Sequence, residues 1–480
     1  MAERNLNARN INAQQRLATG VLTGSLQAGL PVKSGGTLGY SDNAIQIQTI
    51  NPQGGTTHNL HDSPQSDVSY PFSLAGSGVA ATLPYVNIFL EACARVQSAS
   101  KVVTVNTISG SGFAVGEVLS NTTVAGTVGT IAASIPQNKL NGSLVVDGVN
   151  ALGASAINLD FTATAAWDAN VYGILKAGST IVHSGEVTVY TVTADVEWTA
   201  DGVQSVPVSP VLVAATSGAE TVVISGPYKL FIYGLDTAPS TTNALTNNES
   251  SPTTAVTYAI EDYFYWEPNL ALNTQKYVDV YDNIDGTQLY STFCRGTASV
   301  AYARGAEPEI SFTMNGLYKP PADVSLPVNV PPCSVPYPCF GARIFVNGYD
   351  IRTHAVDAVN YDMGNEVVVD GSQTEDKTIR GFRVANIDPT ATITFSQLTV
   401  VEFDPHGTLR DPNLKFTFTH EHNPDGPEQT SIIHIIPQAQ LNARPGNPDM
   451  DGKLAHELSM SATNPCEQFN GLPKELICIY

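Results

Sequence analysis

The run EISFTMNGLYKP (residues 309–320) decides the fold class. Ile310, Phe312 and Met314 alternate with Ser311 and Thr313, the period-two pattern of a strand with one buried and one wetted face. Gly316 and Pro320 are expected to end that strand and turn the chain. Immediately upstream, DGTQLYSTFCRGTASVAYARGAEPEISF (residues 285–312) divides into three runs of the same kind, joined by Gly-containing turns. Downstream, residues 341–395 continue in the same style. The last third of the chain therefore predicts a mainly β fold.

Composition bounds the rest. The 480 residues suffice for two to four domains, and 42% hydrophobic residues suffice for real cores. Charged residues make up only 14%, against a usual ~25%. Ser, Thr, Asn, Gly and Ala fill the gap, as in β-rich proteins covered by neighbours and also in secreted adhesins. The net charge of −21, from 44 acidic and 23 basic side chains, argues against a protein that grips DNA through its phosphates. It suits equally a surface that repels phosphate or an ordinary acidic protein. The N-terminal MAERNLNARNINAQQR has no apolar core of a signal peptide, and no run approaches the ~20 apolar residues of a membrane-spanning helix.

Along the chain, residues 1–20 read as an extended polar arm carrying Arg4, Arg9 and Arg16, either free or ordered against a neighbour. Residues 38–76 read as a long hairpin with arms AIQIQTI (44–50) and VSYPFSL (68–74), and a polar loop at 51–67. The spacing of Val86, Phe89, Leu90 and Cys93 predicts a helix over 83–96, with Pro84 near its start. Residues 100–250 hold Gly-punctuated strand-like runs, read as one or two small β modules inserted after the helix. TAPSTTNALTNNESSPTT (237–254) is the expected linker back to the main domain. LYKPPADVSLPVNVPPCSVPYPC (317–339) is expected to be an ordered, non-strand crossing because of its prolines. In the C-terminal segment, the acidic turn DMDG separates two strands and ELICIY closes the sheet as an edge strand.

The order of these pieces resembles the major tail tube proteins of long-tailed bacteriophages. The likeness covers roughly residues 20–98 and 255–480. It rests on the strand series of the last third, on the small-residue turn and helix in GSGVAATLPYVNIFLEACA (76–94), and on the proline passage after Gly316 and Tyr318. The long hairpin loop and the C-terminal strand series add to it. It implies a tail-tube-type β-sandwich or barrel (residues 21–99 and 251–480) with one short packed helix and a long stacking hairpin loop. An N-terminal arm (1–20) precedes it, and the inserted modules (100–250) decorate the outer wall.

The implied function is architectural. Hexameric rings of the chain stack into a hollow, acidic-lumened conduit through which viral DNA passes without being read. By that resemblance the ring-to-ring contact falls on Asn51, Gly54, His58, His61, Asp62, Gln65 and Asp67, with Arg4, Arg9 and Arg16 as arm contacts. Partners are further copies of the chain, tail terminator, tape measure and distal tail or baseplate proteins, with no membrane and no cofactor. The expected place is the virion tail, assembled in the bacterial cytoplasm. A terminator or distal tail ring of the same fold, and a carbohydrate-binding β protein for host attachment, are the alternatives.

Patterns that carry chemistry fail one at a time. There is no GxSxG elbow, no HExxH and no CxxC, and GSGFAVG (110–116) has GxGxxxG spacing without a βαβ unit. The near P-loop at Gly446 and Gly452–Lys453–Leu454 has the wrong spacing and lacks Ser/Thr. His420 and His422 in KFTFTHEH share one side of a strand and, with Glu402 or Asp404, are metal candidates, but a polar sheet face is the expectation. Tyr263, Tyr265 and Trp266 are the candidate sugar platforms and are expected to pack instead. The six cysteines are scattered; Cys333 and Cys339, flanking SVPYP, are placed to bridge in an oxidising medium, and reduced thiols are expected in a cytosol. No enzyme is expected.

Overall fold

The computed structural model describes residues 9–480 except 18–20, 28–29, 31, 48–57, 80–81, 110–111, 123–125, 141, 164–172, 185–187, 242, 272–273, 285, 325–335, 347–348, 352–354, 372–378, 397–415, 425, 427–429, 444–445 and 464–470. The described residues are mostly in strands, with one helix, so the fold is mainly β. In chain order the first elements are β1 (Arg9–Arg16), β2 (Leu22–Gln27), β3 (Thr37–Ile47), β4 (His58–Ser73), α1 (Asn87–Ala92), β5 (Arg95–Ser109), β6 (Val118–Asn121) and β7 (Thr127–Pro136). Nine short strands, β8 to β16, lie between residues 139 and 225. Then come β17 (Tyr228–Tyr233), β18 (Ala244–Asn247), β19 (Thr254–Pro268), β20 (Tyr277–Ile284), β21 (Thr287–Ala303) and β22 (Glu309–Asp323). The last are β23 (Arg343–Val346), β24 (Tyr349–Asp350), β25 (Val356–Asp362), β26 (Asn365–Gly371), β27 (Ile379–Ile387), β28 (Thr390–Ser396), β29 (Phe416–His422), β30 (Ile432–Leu441), β31 (Asp449–Met450), β32 (Lys453–Ala462) and β33 (Leu476–Ile479).

The main body is one continuous antiparallel ladder wrapped around one core. Its strands follow β3–β4–β22–β21–β25–β28–β32–β30, then pass through β33 to β19 and β5. Phe72, Phe89, Trp266, Phe312, Ile393 and Phe418 fill the space between. The alternation of residues 310–314 is realised as read, with Ile310, Phe312 and Met314 buried.

The two glycines expected to turn the chain do something else. β21 runs unbroken through Gly296 and β22 runs through Gly316, so residues 285–312 give one long strand and the start of the next, not three runs. Residues 293 and 294 together face Gly316 across the ladder, a β-bulge with Phe293 at φ 55°. A Cβ on Gly316 would overlap Ser291 Oγ and Cys294 Sγ, so this glycine is there for close approach. The bulge bends β21: its first half pairs with β20, which pairs with β1 and through it with β2, and its second half pairs with β25. Pro320 and Pro321 lie within β22, where they jointly oppose Leu289 in a second bulge. The proline-dense crossing therefore starts later than expected.

Helix α1 is shorter than the apolar spacing predicts. Pro84, Tyr85 and Val86 form a turn, the helix spans Asn87–Ala92, and Ala94 at φ 53° leads into β5. The predicted stripe of Val86, Phe89, Leu90 and Cys93 is buried as expected. The helix packs on β5, β20 and β21, and Trp266 Nε1 donates to Asn87 Oδ1 at 2.8 Å.

Residues 100–250 hold two nested units. β5, β17, β7, β6, β18 and β19 pair in a closed six-stranded ring around Val103, Leu119, Ile131, Leu230, Ile232 and Leu245. β5 and β19 also pair along their body-side halves, so the barrel shares both strands with the body. The segment 237–254, expected as a linker, contains barrel strand β18. Between β7 and β17, strands β8 to β16 form a six-stranded and a three-stranded sheet around Phe161, Tyr190 and Trp198. The bridge Val145↔Thr221 nearly closes the larger sheet into a barrel of its own. Finally, β33 pairs on both sides, with β19 and β30, and is fully buried; ELICIY is an internal strand, not an edge.

Candidate assembly surface

The described residues among those expected at subunit contacts fall on β1 and on the β3–β4 hairpin. β1 is a strand of the body rather than a detached arm. It pairs with β20 from Arg9↔Ile284 to Arg16↔Tyr277, and Ile11, Asn12 and Ala13 are buried. Polar side chains do not prevent this, because the ladder is made of backbone bonds. Arg4 lies outside the described residues, and Arg9 is placed by its backbone alone.

Arg16 is engaged within its own subunit. Its Nε donates to Asp279 Oδ1 at 3.1 Å, its Nη2 bonds Asp279 Oδ2, and its guanidinium lies 4.5 Å from the Phe293 ring centre. The hydrogen bond to Asp279 holds Arg16 above its ordinary pKa. Asp279 is fully buried and also accepts from the Tyr290 hydroxyl at 2.9 Å and from the bulged Phe293 N–H at 3.1 Å. Burial pushes the Tyr290 phenol up. Three residues further along β20, on the other face, buried Asp282 accepts from Tyr70 at 2.7 Å. Neither carboxylate was visible as a site in sequence, since DVYDN reads as an ordinary polar alternation.

The second arm of the hairpin starts earlier than expected. β4 starts at His58, so residues 58–67 are strand, with His58, Asp62 and Asp67 opposite Ile47, Asn43 and Gly39. His61 faces Ala44, Gln65 faces Ser41 and, on the other side, Leu317. Residues 63 and 64 oppose residue 42 alone, placing Pro64 in a bulge where its missing N–H is tolerated. β22 accompanies β4 only from Gln65 to Ser73, so the five pairs from 43 to 47 extend the two-stranded ribbon about 16 Å further. Asp67 Oδ1 accepts from Asn315 Nδ2 at 2.9 Å at its base. Asn51 and Gly54 lie outside the described residues.

Two open edges complete the surface. Among the described residues β2 pairs only with β1, and β3 only with β4. Beside the open edge of β2, Val21 is 60% exposed, Leu22 42% and Leu26 45%. Before β23, Cys339 is a free thiol, pushed up to about 11 by burial, and Cys333 lies outside the described residues.

The remaining candidates resolve as follows. Tyr263, Tyr265 and Trp266 are buried, with the Tyr263 hydroxyl donating to the Ile232 carbonyl at 2.6 Å. His420 and His422 do share one face of β29, but that face is core, and both are buried. Glu402 and Asp404 lie outside the described residues, and no group of three His, Cys, Asp or Glu among the described residues is arranged to hold a metal ion. No described helix is long and apolar enough to cross a membrane. No protein-family model matches the chain, and no curated protein matches it.

Proposed function

We propose that the chain is the structural subunit of a phage tail tube, in which hexameric rings stack into a hollow conduit for DNA. The observation that carries this reading is the open edge of β2, flanked by exposed Leu22 and Leu26. Among the described residues one edge of β2 has no strand partner; such an edge beside exposed leucines is a liability in a lone subunit, and pairing with a neighbouring subunit removes it. The β3–β4 ribbon supplies reach toward a second ring. The net charge of −21 favours a wall along which phosphates slide without sticking. The barrel and the sandwich nested in it are then outer-wall decoration. A terminator or distal tail ring would use the same edges without stacking indefinitely.

Negative-stain electron microscopy of the concentrated full-length chain tests the reading. Hollow tubes with a regular axial repeat are expected. Single closed rings would move the assignment to a terminator or distal protein, and a chain that stays monomeric at every concentration would overturn it, with glycan binding assayed next.

A further inference from the structure

Three histidines meet two tyrosines in the core of the body. His420 and His422 are two residues apart on β29, and His434 is the direct cross-strand partner of His420 on β30. From the facing wall, Tyr302 of β21 and Tyr361 of β25 close over them. The Tyr302 ring centre lies 4.5, 5.4 and 5.6 Å from those of His420, His422 and His434, and its hydroxyl shares a 2.9 Å hydrogen bond with His434 Nε2. Tyr361 stacks on His434 at 4.0 Å. All five side chains are buried.

Among the described residues no carboxylate hydrogen-bonds any of the three imidazoles, and the Tyr337 carbonyl is the backbone group that favours the charged form of His422. His422 Nε2 donates to the Tyr337 carbonyl at 3.2 Å, while among the described residues His420 Nδ1, His422 Nδ1 and the Tyr361 hydroxyl meet no hydrogen-bond partner. Ile344 of β23 and Ile477 of β33 flank His420 and His434 in register. The Glu475 carboxylate acts on Tyr361 through its charge, and the Cys339 thiol, held neutral by burial, packs against the same core. Glu421 of β29 and Arg343 of β23 point to the opposite face and pair with each other, and His456 of β32 packs on Phe395.

We propose that this cluster is an acid latch: neutral imidazoles clamp the β21–β25 wall to the β29–β30 wall, and acidification releases them. Burial holds His420 well below the ordinary histidine value, His422 at about 4 and His434 at about 3. Once the walls part, each imidazole returns to about 6.5. Above that pH neither form binds protons here and the latch is at full strength. Below it the open form takes up protons that the closed form refuses, until the pH reaches the folded values. Each imidazole weakens the closed form by about tenfold per pH unit, and three together by about a thousandfold. The latch therefore acts from just below neutrality, well above the values of the closed cluster.

The test is urea unfolding of the full-length chain across pH 5–7.5, in wild type and in His420→Phe and His434→Phe. Each variant is expected to lower the pH slope of the folding equilibrium by about tenfold per pH unit, by removing one linked proton. Imidazole nitrogen NMR of the folded wild type at pH 5.5 should show three neutral histidines, and this readout stands even if neither variant folds. Unchanged slopes in both variants, or three core imidazoles protonating near pH 6.5 in the folded chain, would overturn the proposal.

Discussion

Arg343 Nη1 donates to Gln137 Oε1 over 2.7 Å, joining β23 of the body to the residue where the nested sandwich leaves the barrel. The same guanidinium pairs with Glu421 at 3.4 Å, and the Tyr480 hydroxyl donates to Glu421 from the other side. Arg343 and Glu421 are both fully buried. Arg343→Ala leaves a carboxylate without its cation in the interior and is expected to cost about 3–5 kcal/mol in urea unfolding. The double change Arg343→Met with Glu421→Leu should recover most of that, because it removes both charges.

Gly316 faces the Phe293–Cys294 bulge with no room for a methyl group. Gly316→Ala is expected to destabilise by about 1–3 kcal/mol through overpacking. A thermal midpoint equal to wild type would show that β22 shifts freely at this point.

Phe89 of α1 sits among Phe72 and Phe312, with ring centres 5.0 and 5.1 Å away. Phe89→Ala removes the helix's largest anchor and should cost about 3–5 kcal/mol. Phe89→Leu, which keeps most of the volume, should cost clearly less on the same denaturation curve.

Leu22→Lys combined with Leu26→Lys places two charges beside the open edge of β2. Monomer stability is expected to change little, since both side chains are exposed. Self-association, followed by light scattering, should fall by an order of magnitude or more. Association unaffected by the pair would place the subunit contact elsewhere.

Replacing residues 43–62 with a two-residue turn shortens the ribbon without touching the pairs that β4 makes with β22. Rings that still close but no longer stack are the expected images by electron microscopy. Full-length tubes from this variant would separate the ribbon from stacking.

Sequence showed what depends on alternation and concealed what depends on neighbours. Ile310, Phe312 and Met314 announce their own buried face, and the apolar stripe of α1 announces its packing, though not its length. Gly296 and Gly316 looked like chain turns because a glycine needed for close approach is chemically the same residue as one needed for a turn. The uniformly apolar Leu476–Ile479 held a usable signal, since a strand apolar on both faces is buried on both and is no edge. His420 and His422 could be placed on one face. His434, Tyr302 and Tyr361 join them only through a hairpin and a facing wall that no local pattern encodes. The polar run from His58 to Asp67 gave no sign of strand because a ladder of backbone bonds needs no apolar alternation.

The sandwich leaves the barrel at Gln137 and returns beside it, where the Gln137 N–H bonds the Pro227 carbonyl at 2.9 Å. Both ends of some ninety intervening residues thus sit within one hydrogen bond of each other. The segment is grafted like a cartridge in a socket: a different domain of any size with adjacent termini would plug into the same two positions. The barrel beneath has no such freedom, because β5 and β19 belong to the body as much as to it.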